Sequence, residues 1–209
     1  MLYDYLKENY KEAEPIFFSD VKYENLSKPA LSQKFKALCD ERKIVRYDTG
    51  IYYIPRPSRL KGFGMIGLTA DITAYYKYIS RRGETFGYYS GNTFANHIGI
   101  TTQVPRTIEI TSNCVAARVK DIIISNRKFI VHHPPVKVTN ENAAVLRMLD
   151  LMKNLENYMD EDYPEATDRF KEYIEIFKIR KADVDRYIRA FPISIFKNYY
   201  ELGLDHVLA

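Results

Sequence analysis

The N-terminal part of the chain carries two stretches in which hydrophobic residues recur at helical spacing. The first stretch contains Leu2, Tyr5, Leu6 and Tyr10, and Pro15 ends it. Because residues three or four apart share one face of a helix, this spacing predicts an amphipathic helix near the start of the chain.

A second amphipathic helix is predicted from about Lys28 to Arg42. Ser27 can act as its N-cap, and Pro29 can occupy the first turn, where its missing N–H needs no partner. The apolar stripe consists of Leu31, Phe35, Leu38 and Cys39. The opposite face presents Pro29, Gln33, Lys36 and Asp40, with Ser32 and Lys34 on its flanks.

Two β-prone runs follow directly in the segment IVRYDTGIYYIP, with Asp48, Thr49 and Gly50 between them. Glycine tolerates the positive φ of a tight turn, so this segment predicts a hairpin in which Tyr52 and Tyr53 point to opposite faces. The order helix, short element, helix, hairpin is typical of a winged helix-turn-helix. In that fold the second helix lies in the major groove, and we expect the hairpin to contact the DNA backbone.

The next segment, PRPSRLKGFG, is rich in proline and glycine and predicts a linker. It carries three basic residues, Arg56, Arg59 and Lys61. We therefore expect a domain boundary close to residue 60, with a DNA-binding domain over residues 1–58 and a second domain over residues 59–209.

The second domain is predicted to combine a small sheet with helices. The segment TADITAYYKYISRRG predicts a helix with Ile72, Tyr75, Tyr76 and Ile79 on one side and Gly83 at its end. The segments RTIEITSN, AARVKDIII and KFIVHHPP predict strands, the last two joined through residues 125–127. Further helices are expected at residues 139–158, 170–179 and 184–191.

A short helix is also predicted within GYYSGNTFANHIGITTQVP. Ser90 is placed to begin it and Gly99 to end it, while Phe94 and Ile98 share one face. The polar residues of this stretch, including His97, then lie on the sides of a helix rather than around one reactive point. The expected fold class is therefore α+β: an N-terminal winged helix-turn-helix followed by a mixed α/β domain with a small sheet and C-terminal helices.

Composition narrows the class of protein. The chain is 46% hydrophobic and 28% charged, which is typical of a globular protein. No apolar run of about 18 residues is present, and the acidic start MLYDYLKENYKE does not resemble a secretory signal, so we expect a cytoplasmic protein without a membrane partner. Two cysteines, Cys39 and Cys114, without a Cys/His cluster predict neither a disulfide framework nor a metal site, and we expect no cofactor.

Charge is distributed unevenly along the chain. Residues 1–60 carry a net charge of +2, residues 61–140 carry +6, and residues 141–209 carry −4. A basic front and an acidic rear fit a protein that meets a polyanion with one side only.

Residue types that support catalysis are not assembled in any familiar motif. The chain has no glycine-rich phosphate loop, no HExxH pair and no GxSxG elbow. His132 and His133 are adjacent on a predicted strand, so at most one of them is expected to face any pocket. The acidic run MDEDYPE lacks the spacing of a calcium loop. We therefore expect no enzyme activity and assign no catalytic residue.

DNA contact is the chemistry that the sequence favours. Gln33 can bond adenine in a bidentate manner, and Lys34 and Lys36 can reach a base edge or a phosphate. The predicted DNA-binding residues are Lys28, Ser32, Gln33, Lys34, Lys36, Arg46, Arg56 and Arg59. The alternative interpretation is that this polar helix face is merely solvated, and the hairpin that follows the helix favours the DNA interpretation.

The chain resembles the bacterial AbiEi-type family of antitoxins and transcriptional regulators. The resemblance rests on KPALSQKFKALCDERKIVRYDTGIYYIP, on GYYSGNTFANHIGITTQVPRTIEITSN, and on the later helix with Leu149, Asp150 and Leu151. It implies an antitoxin that represses its own operon by binding promoter DNA. It also implies that the second domain counteracts a neighbour-encoded, nucleotidyltransferase-like toxin without a stable complex.

Two other functions stay open at this stage. In one, the second domain binds a partner protein and the winged helix serves as a scaffold; a high aromatic content of 14% would suit such an interface. In the other, the protein is an enzyme acting on RNA or nucleotides, which would require a pocket joining His97 or His132 to basic residues.

Overall fold

The computed structural model describes residues 1–57, 65–160 and 163–208. The chain divides into two compact units, Met1–Tyr76 and Lys77–Ala209. The expected α+β class is confirmed. The chain has an N-terminal region of helices and short strands with a small antiparallel sheet, then a mixed four-stranded sheet and a group of C-terminal helices. The predicted boundary between residues 58 and 59 lies outside the described residues and stays a prediction.

The first unit begins with helix α1 (Leu2–Asn9), strand β1 (Ile16–Phe17) and a 3-10 turn (Phe18–Asp20). Helix α2 (Lys28–Asp40) and strands β2 (Val45–Asp48) and β3 (Ile51–Tyr53) follow. The three strands pair antiparallel, with β3 between β1 and β2. The predicted order of helix, short element, helix and hairpin is therefore present.

Helix α2 begins where the sequence predicts. Ser27 Oγ accepts a hydrogen bond from the backbone N–H of Ala30 at 3.4 Å, and Pro29 lies in the first turn. Capping of this kind typically stabilises a helix by about 1 kcal/mol. The predicted apolar stripe is buried at Leu31, Phe35 and Leu38. Because this stripe faces the core, the polar side of α2 is left on the surface.

The two faces of strand β3 meet different hydrophobic clusters. The ring of Tyr52 lies 4.8 Å from that of Phe35 on α2. Tyr53 points the other way and is buried with Phe17, Ile51 and Leu68. The predicted alternation of the two tyrosines is confirmed, and it fixes which side of the hairpin faces α2.

The segment predicted as a linker is partly a strand. Strand β4 (Arg56–Pro57) pairs antiparallel with strand β5 (Met65–Ile66). Proline and glycine content therefore overestimated the linker at its N-terminal end, because a proline is compatible with an edge strand, whereas β5 lies just beyond the predicted segment. Arg59 and Lys61 lie outside the described residues.

Helix α3 (Ala70–Tyr78) forms as predicted, but the apolar side predicted for it is only partly buried. Ile72 and Tyr75 are 40% and 39% exposed, whereas Thr73 and Ala74 are fully buried. Apolar residues occupy almost every side of this helix, so their spacing alone does not select a face. The buried face includes the small side chains of Thr73 and Ala74 together with the large ring of Tyr78.

Gly83 does not end α3, contrary to the prediction. The helix ends at Tyr78, and strands β6 (Ser80–Arg81) and β7 (Glu84–Thr85) form a hairpin after it. Arg82 and Gly83 make the turn, with φ values of 53° and 81°. Two consecutive positive φ values are the signature of a tight hairpin turn, which explains the glycine.

The second unit contains a mixed sheet. Strand β8 (Gly87–Tyr89) leads into helix α4 (Gly91–His97), and strands β9 (Ile108–Ser112), β10 (Val119–Ile124) and β11 (Arg127–His132) follow. The order is β10-β11-β9-β8, with β11 and β9 parallel and the other pairs antiparallel. The three strands predicted after α4 and the turn between β10 and β11 are confirmed.

Helices complete the second unit. They are α5 (Ala143–Met152), α6 (Tyr163–Phe177), α7 (Lys181–Tyr187), α8 (Ser194–Glu201) and α9 (Leu204–Val207). Helix α5 is central to this unit, since Leu146, Leu149 and Met152 are fully buried among the other elements. Among the described residues, no helix is both long enough and apolar enough to cross a membrane.

Candidate nucleic-acid interface

The outward face of α2 presents polar side chains that are not engaged elsewhere. Lys28, Ser32, Gln33 and Lys36 are all exposed. At about 100° per residue, these four positions fall within an arc of roughly 140°. None of them forms a side-chain hydrogen bond or an ion pair with another described residue. Their donors and acceptors are therefore available to an external ligand.

Lys43 differs from the lysines of the α2 face, because it has an acidic partner within the protein. Lys43, just beyond α2, lies 2.7 Å from the Glu41 carboxylate, and this hydrogen bond and ion pair raise the pKa of Lys43. Its charge is compensated within the protein. The lysines of the α2 face have no such partner among the described residues, so their positive charge is presented to solvent.

Lys34 lies apart from the other predicted contacts. At about 100° per residue it is roughly 160° from Lys36 around the helix axis. Lys34 is exposed on the other flank of α2. A helix whose Gln33 side enters a groove would bring Lys34 to a groove wall, so phosphate is the group that it can reach.

The hairpin carries less positive charge than its predicted role suggests. Arg46 is its one cationic residue by sequence, and the guanidinium Nε donates to the backbone carbonyl of Asp48 at 3.4 Å. The turn of the hairpin also contains an acidic residue, Asp48. Its Oδ1 accepts a hydrogen bond from the backbone N–H of Thr49 at 2.6 Å. A carboxylate at the turn repels phosphate, so Arg46 is the group in this hairpin that can attract a DNA backbone.

The remaining predicted residues lie near the linker. Arg56 is exposed on β4, and Arg59 lies outside the described residues. Residues 1–76 contain no histidine. The exposed lysines on α2 are suited to binding an anion.

Two adjacent histidines of the second unit line the same cavity. His132 and His133 both line a cavity of about 580 Å³, together with Arg118, Asp150 and Lys153. His132 Nε2 lies 3.4 Å from Glu109 Oε2, which is not part of the cavity lining, and β11 ends at His132. That at most one of the two imidazoles faces a pocket stays a prediction. Past the strand end, His133 turns so that its Nδ1 meets the Val115 carbonyl oxygen at 2.6 Å.

The floor of this first cavity holds a buried acid that sequence reasoning missed. Asp150 is only 5% exposed, and its carboxylate accepts hydrogen bonds from Thr111 Oγ1 at 3.0 Å and from Lys153 Nζ at 2.6 Å. Both oxygens are thus occupied by the protein. The local signal was an aspartate inside the apolar run AAVLRMLDLM.

His97 lines a second cavity, of about 660 Å³, that also contains Arg147 and Arg169. Burial lowers the pKa of His97, and the positive charge of Arg147 lowers it further. The pocket required by the enzyme alternative, which joins His97 or His132 to basic residues, is therefore present twice in the second unit. Among the residues that the structure describes, no group of three or more His, Cys, Asp or Glu side chains is placed to hold a metal ion.

Comparisons with protein-family models, with curated proteins and with solved structures found no match to this chain.

Proposed function

We propose that this protein is a DNA-binding transcriptional regulator of the AbiEi antitoxin type, which acts in the cytoplasm and represses its own operon. In this proposal the first unit is a winged helix-turn-helix, and α2 is the helix that enters the major groove. The second unit would counteract a nucleotidyltransferase-like toxin encoded next to it.

One observation supports this proposal above the others. The exposed face of α2 combines Gln33 with the unpaired cations Lys28 and Lys36, directly before the hairpin. Adenine is read by a bidentate amide, and phosphate is held by lysine, serine and arginine. A helix of 13 residues, about 20 Å long, is sufficient to place these groups along a major groove.

The experiment that tests the proposal is a fluorescence-anisotropy titration of the full-length protein with labelled DNA from upstream of its own gene. A shuffled duplex of equal length and composition is the control. We expect tighter binding to the upstream DNA and weaker binding as salt rises, because phosphate contacts release counterions. Equal affinity for the two duplexes would remove sequence-specific regulation from consideration.

The alternative function, a protein-interaction module, is favoured by a different observation. Apolar side chains of the C-terminal region lie on the surface, with Ile193 at 86% and Ile176 at 65% exposure. Exposed apolar residues of this size are typical of contact surfaces when they cluster. Stoichiometric co-purification of the neighbour-encoded protein, with no preference for upstream DNA, would support this alternative over the first.

A further inference from the structure

Three helices of the second unit enclose the second cavity, which we call the arginine cavity. Its walls include Phe94 from α4, Arg147 from α5, and Arg169, Tyr173 and Phe177 from α6. A cavity of about 660 Å³ lies within the size range of small-molecule sites in proteins. Because its walls come from helices, the side chains are held on rigid elements.

Arg147 is held in one position by aromatic rings. Its guanidinium carbon lies 4.6 Å from the centre of the Phe94 ring, 5.1 Å from that of Phe177 and 5.2 Å from that of Tyr173. Its Nε donates to Tyr173 Oη at 2.9 Å, and that hydroxyl donates to the carbonyl oxygen of Ala144 at 3.1 Å. The guanidinium is therefore fixed before any ligand arrives.

No described residue accepts a hydrogen bond from the two terminal nitrogens of Arg147. The side chain is half-buried, yet it forms no ion pair with a carboxylate among the described residues. The three rings compensate part of this charge by cation–π attraction, but no described carboxylate pairs with it. A fixed guanidinium fork that lines a cavity without a protein anion is suited to an external oxoanion.

A second guanidinium lines the same cavity. Arg169 is exposed and also lacks an ion-pair partner among the described residues, and its Nε would lie 3.3 Å from a Cβ at Gly99. One acid, Glu172, also lines the cavity. With two arginines and one glutamate, the formal charge of the cavity lining is positive. Two arginines favour a dianionic group such as phosphate over a single carboxylate.

The rest of the lining is suited to an aromatic body. Phe177 is 46% exposed and Ile176 is 65% exposed at the cavity, so both offer apolar surface that no described residue covers fully. Asn96 donates its amide N–H to the carbonyl oxygen of Thr101 at 3.2 Å, and its amide oxygen accepts from no other described residue. A planar heterocycle would stack on the ring and donate to this acceptor.

We propose that the arginine cavity binds a small organic phosphate with an aromatic body, the chemistry of a nucleotide. The phosphate would bridge Arg147 and Arg169, and the aromatic body would lie against Phe177. This inference does not rest on DNA binding by α2, because it uses residues of the second unit alone.

The test is calorimetric titration of the full chain with adenosine 5′-monophosphate and uridine 5′-monophosphate. Adenosine, inorganic phosphate and benzoate are titrated separately. We expect at least one monophosphate to bind with a Kd below about 1 mM, and the three partial probes to bind at least roughly tenfold more weakly. The proposal is overturned if neither monophosphate binds, or if adenosine, phosphate or benzoate binds as tightly.

Variants then locate the site. Arg169→Gln is expected to weaken monophosphate binding by roughly tenfold, because one charge-assisted hydrogen bond is lost. Lys171→Gln, two residues along the same helix and paired with Asp168 at 3.0 Å outside the cavity, is the matched control and should bind like the wild type. Arg147→Lys, which keeps the charge but not the fork, should also weaken binding. Unchanged affinity in both arginine variants places the ligand elsewhere and overturns the proposal.

Discussion

Asp160 accepts three hydrogen bonds from the turn that follows α4. Its Oδ2 receives the backbone N–H of Thr102 at 2.7 Å and the hydroxyls of Thr101 and Thr102 at 2.9 Å each. The bonds from the Thr102 backbone and side chain, followed by the one from Thr101, lower the pKa of the Asp160 carboxyl. One carboxylate therefore fastens the segment TTQVP to the loop before α6.

This arrangement predicts a pH-dependent loss of stability. Because the folded-state pKa is lower than the unfolded value of about 3.9, the carboxylate stabilises the fold above that pH. The contribution is lost as pH falls through the lower folded-state pKa. We expect Asp160→Asn to be less stable than the wild type at pH 7, with a gap that closes below about pH 4. Urea unfolding of both proteins over a pH series measures this difference in the free energy of unfolding. A difference that stays constant down to pH 3 contradicts a stabilising role for the Asp160 carboxylate.

Gln33 is the residue of α2 whose side chain can distinguish bases. If it bonds adenine, Gln33→Ala should weaken binding to upstream DNA by about 1 to 3 kcal/mol and reduce the preference over shuffled DNA. Lys36→Ala should cost a similar amount if it meets a base edge. Gln103→Ala in the second unit, also an exposed glutamine, is the control. Unchanged binding for both α2 variants would exclude this helix face from the site.

Strand β8 approaches its neighbours so closely that one position admits only glycine. A Cβ on Gly87 would overlap the backbone oxygen of Tyr78, and it would lie 2.7 Å from the backbone oxygen of Thr111. Backbone atoms cannot rotate away as side-chain atoms can. The end of α3 and strand β9 therefore both press on this point of the sheet.

Gly87→Ala should accordingly destabilise the fold by about 3 kcal/mol, at the upper end of the cost of overpacking. Gly83→Ala is the control, because a Cβ there meets nothing within 4 Å and the cost comes from its φ of +81° alone. That strain is expected to cost about 1 to 2 kcal/mol. Urea unfolding of the two variants compares them, and equal losses would show that steric overlap at Gly87 is relieved by a backbone shift.

Elements with one clear apolar stripe could be predicted from sequence, and elements surrounded by apolar residues could not. Helix α2 has a single stripe and a capping serine, so its start and its buried face are confirmed. Helix α3 is apolar on almost every side, so its neighbours decide that Ala74 faces inward and Tyr75 outward. Turn chemistry was misread at Gly83 for a related reason: glycine ends helices and makes hairpin turns alike.

The two candidate sites also differ in how far they could be predicted from the sequence. The exposed face of α2 follows from helical spacing, because exposure is the complement of a buried stripe. The arginine cavity depends on contacts between α4, α5 and α6, which are far apart in sequence. Arg147 inside the run AAVLRMLDLM was the available signal, since an arginine among buried positions needs a structural or ligand partner.

At the scale of the whole molecule, net charge along the sequence and free charge in the structure differ. Residues 61–140 have the largest positive net charge, +6. That sum already includes Asp121, whose carboxylate lies 2.7 Å from Lys128 Nζ. In residues 1–60 the net charge is only +2, but Lys28, Lys34 and Lys36 have no partner among the described residues. Under the DNA-binding proposal, these three lysines of α2 should therefore determine how steeply the affinity for DNA falls as the salt concentration rises.

The salt dependence of DNA binding can be predicted quantitatively. Each phosphate contact contributes about −0.9 to the slope of log affinity against log salt concentration on duplex DNA. Lys36→Gln, and separately Lys34→Gln, should each reduce the steepness of that slope by about 0.9 if the residue meets a phosphate. Lys120→Gln, an exposed lysine on β10 of the second unit, should leave the slope unchanged. If Lys120→Gln reduces the slope while both α2 variants do not, the polyanion contacts the second unit, and the basic segment of the sequence rather than the α2 face is the DNA-binding surface.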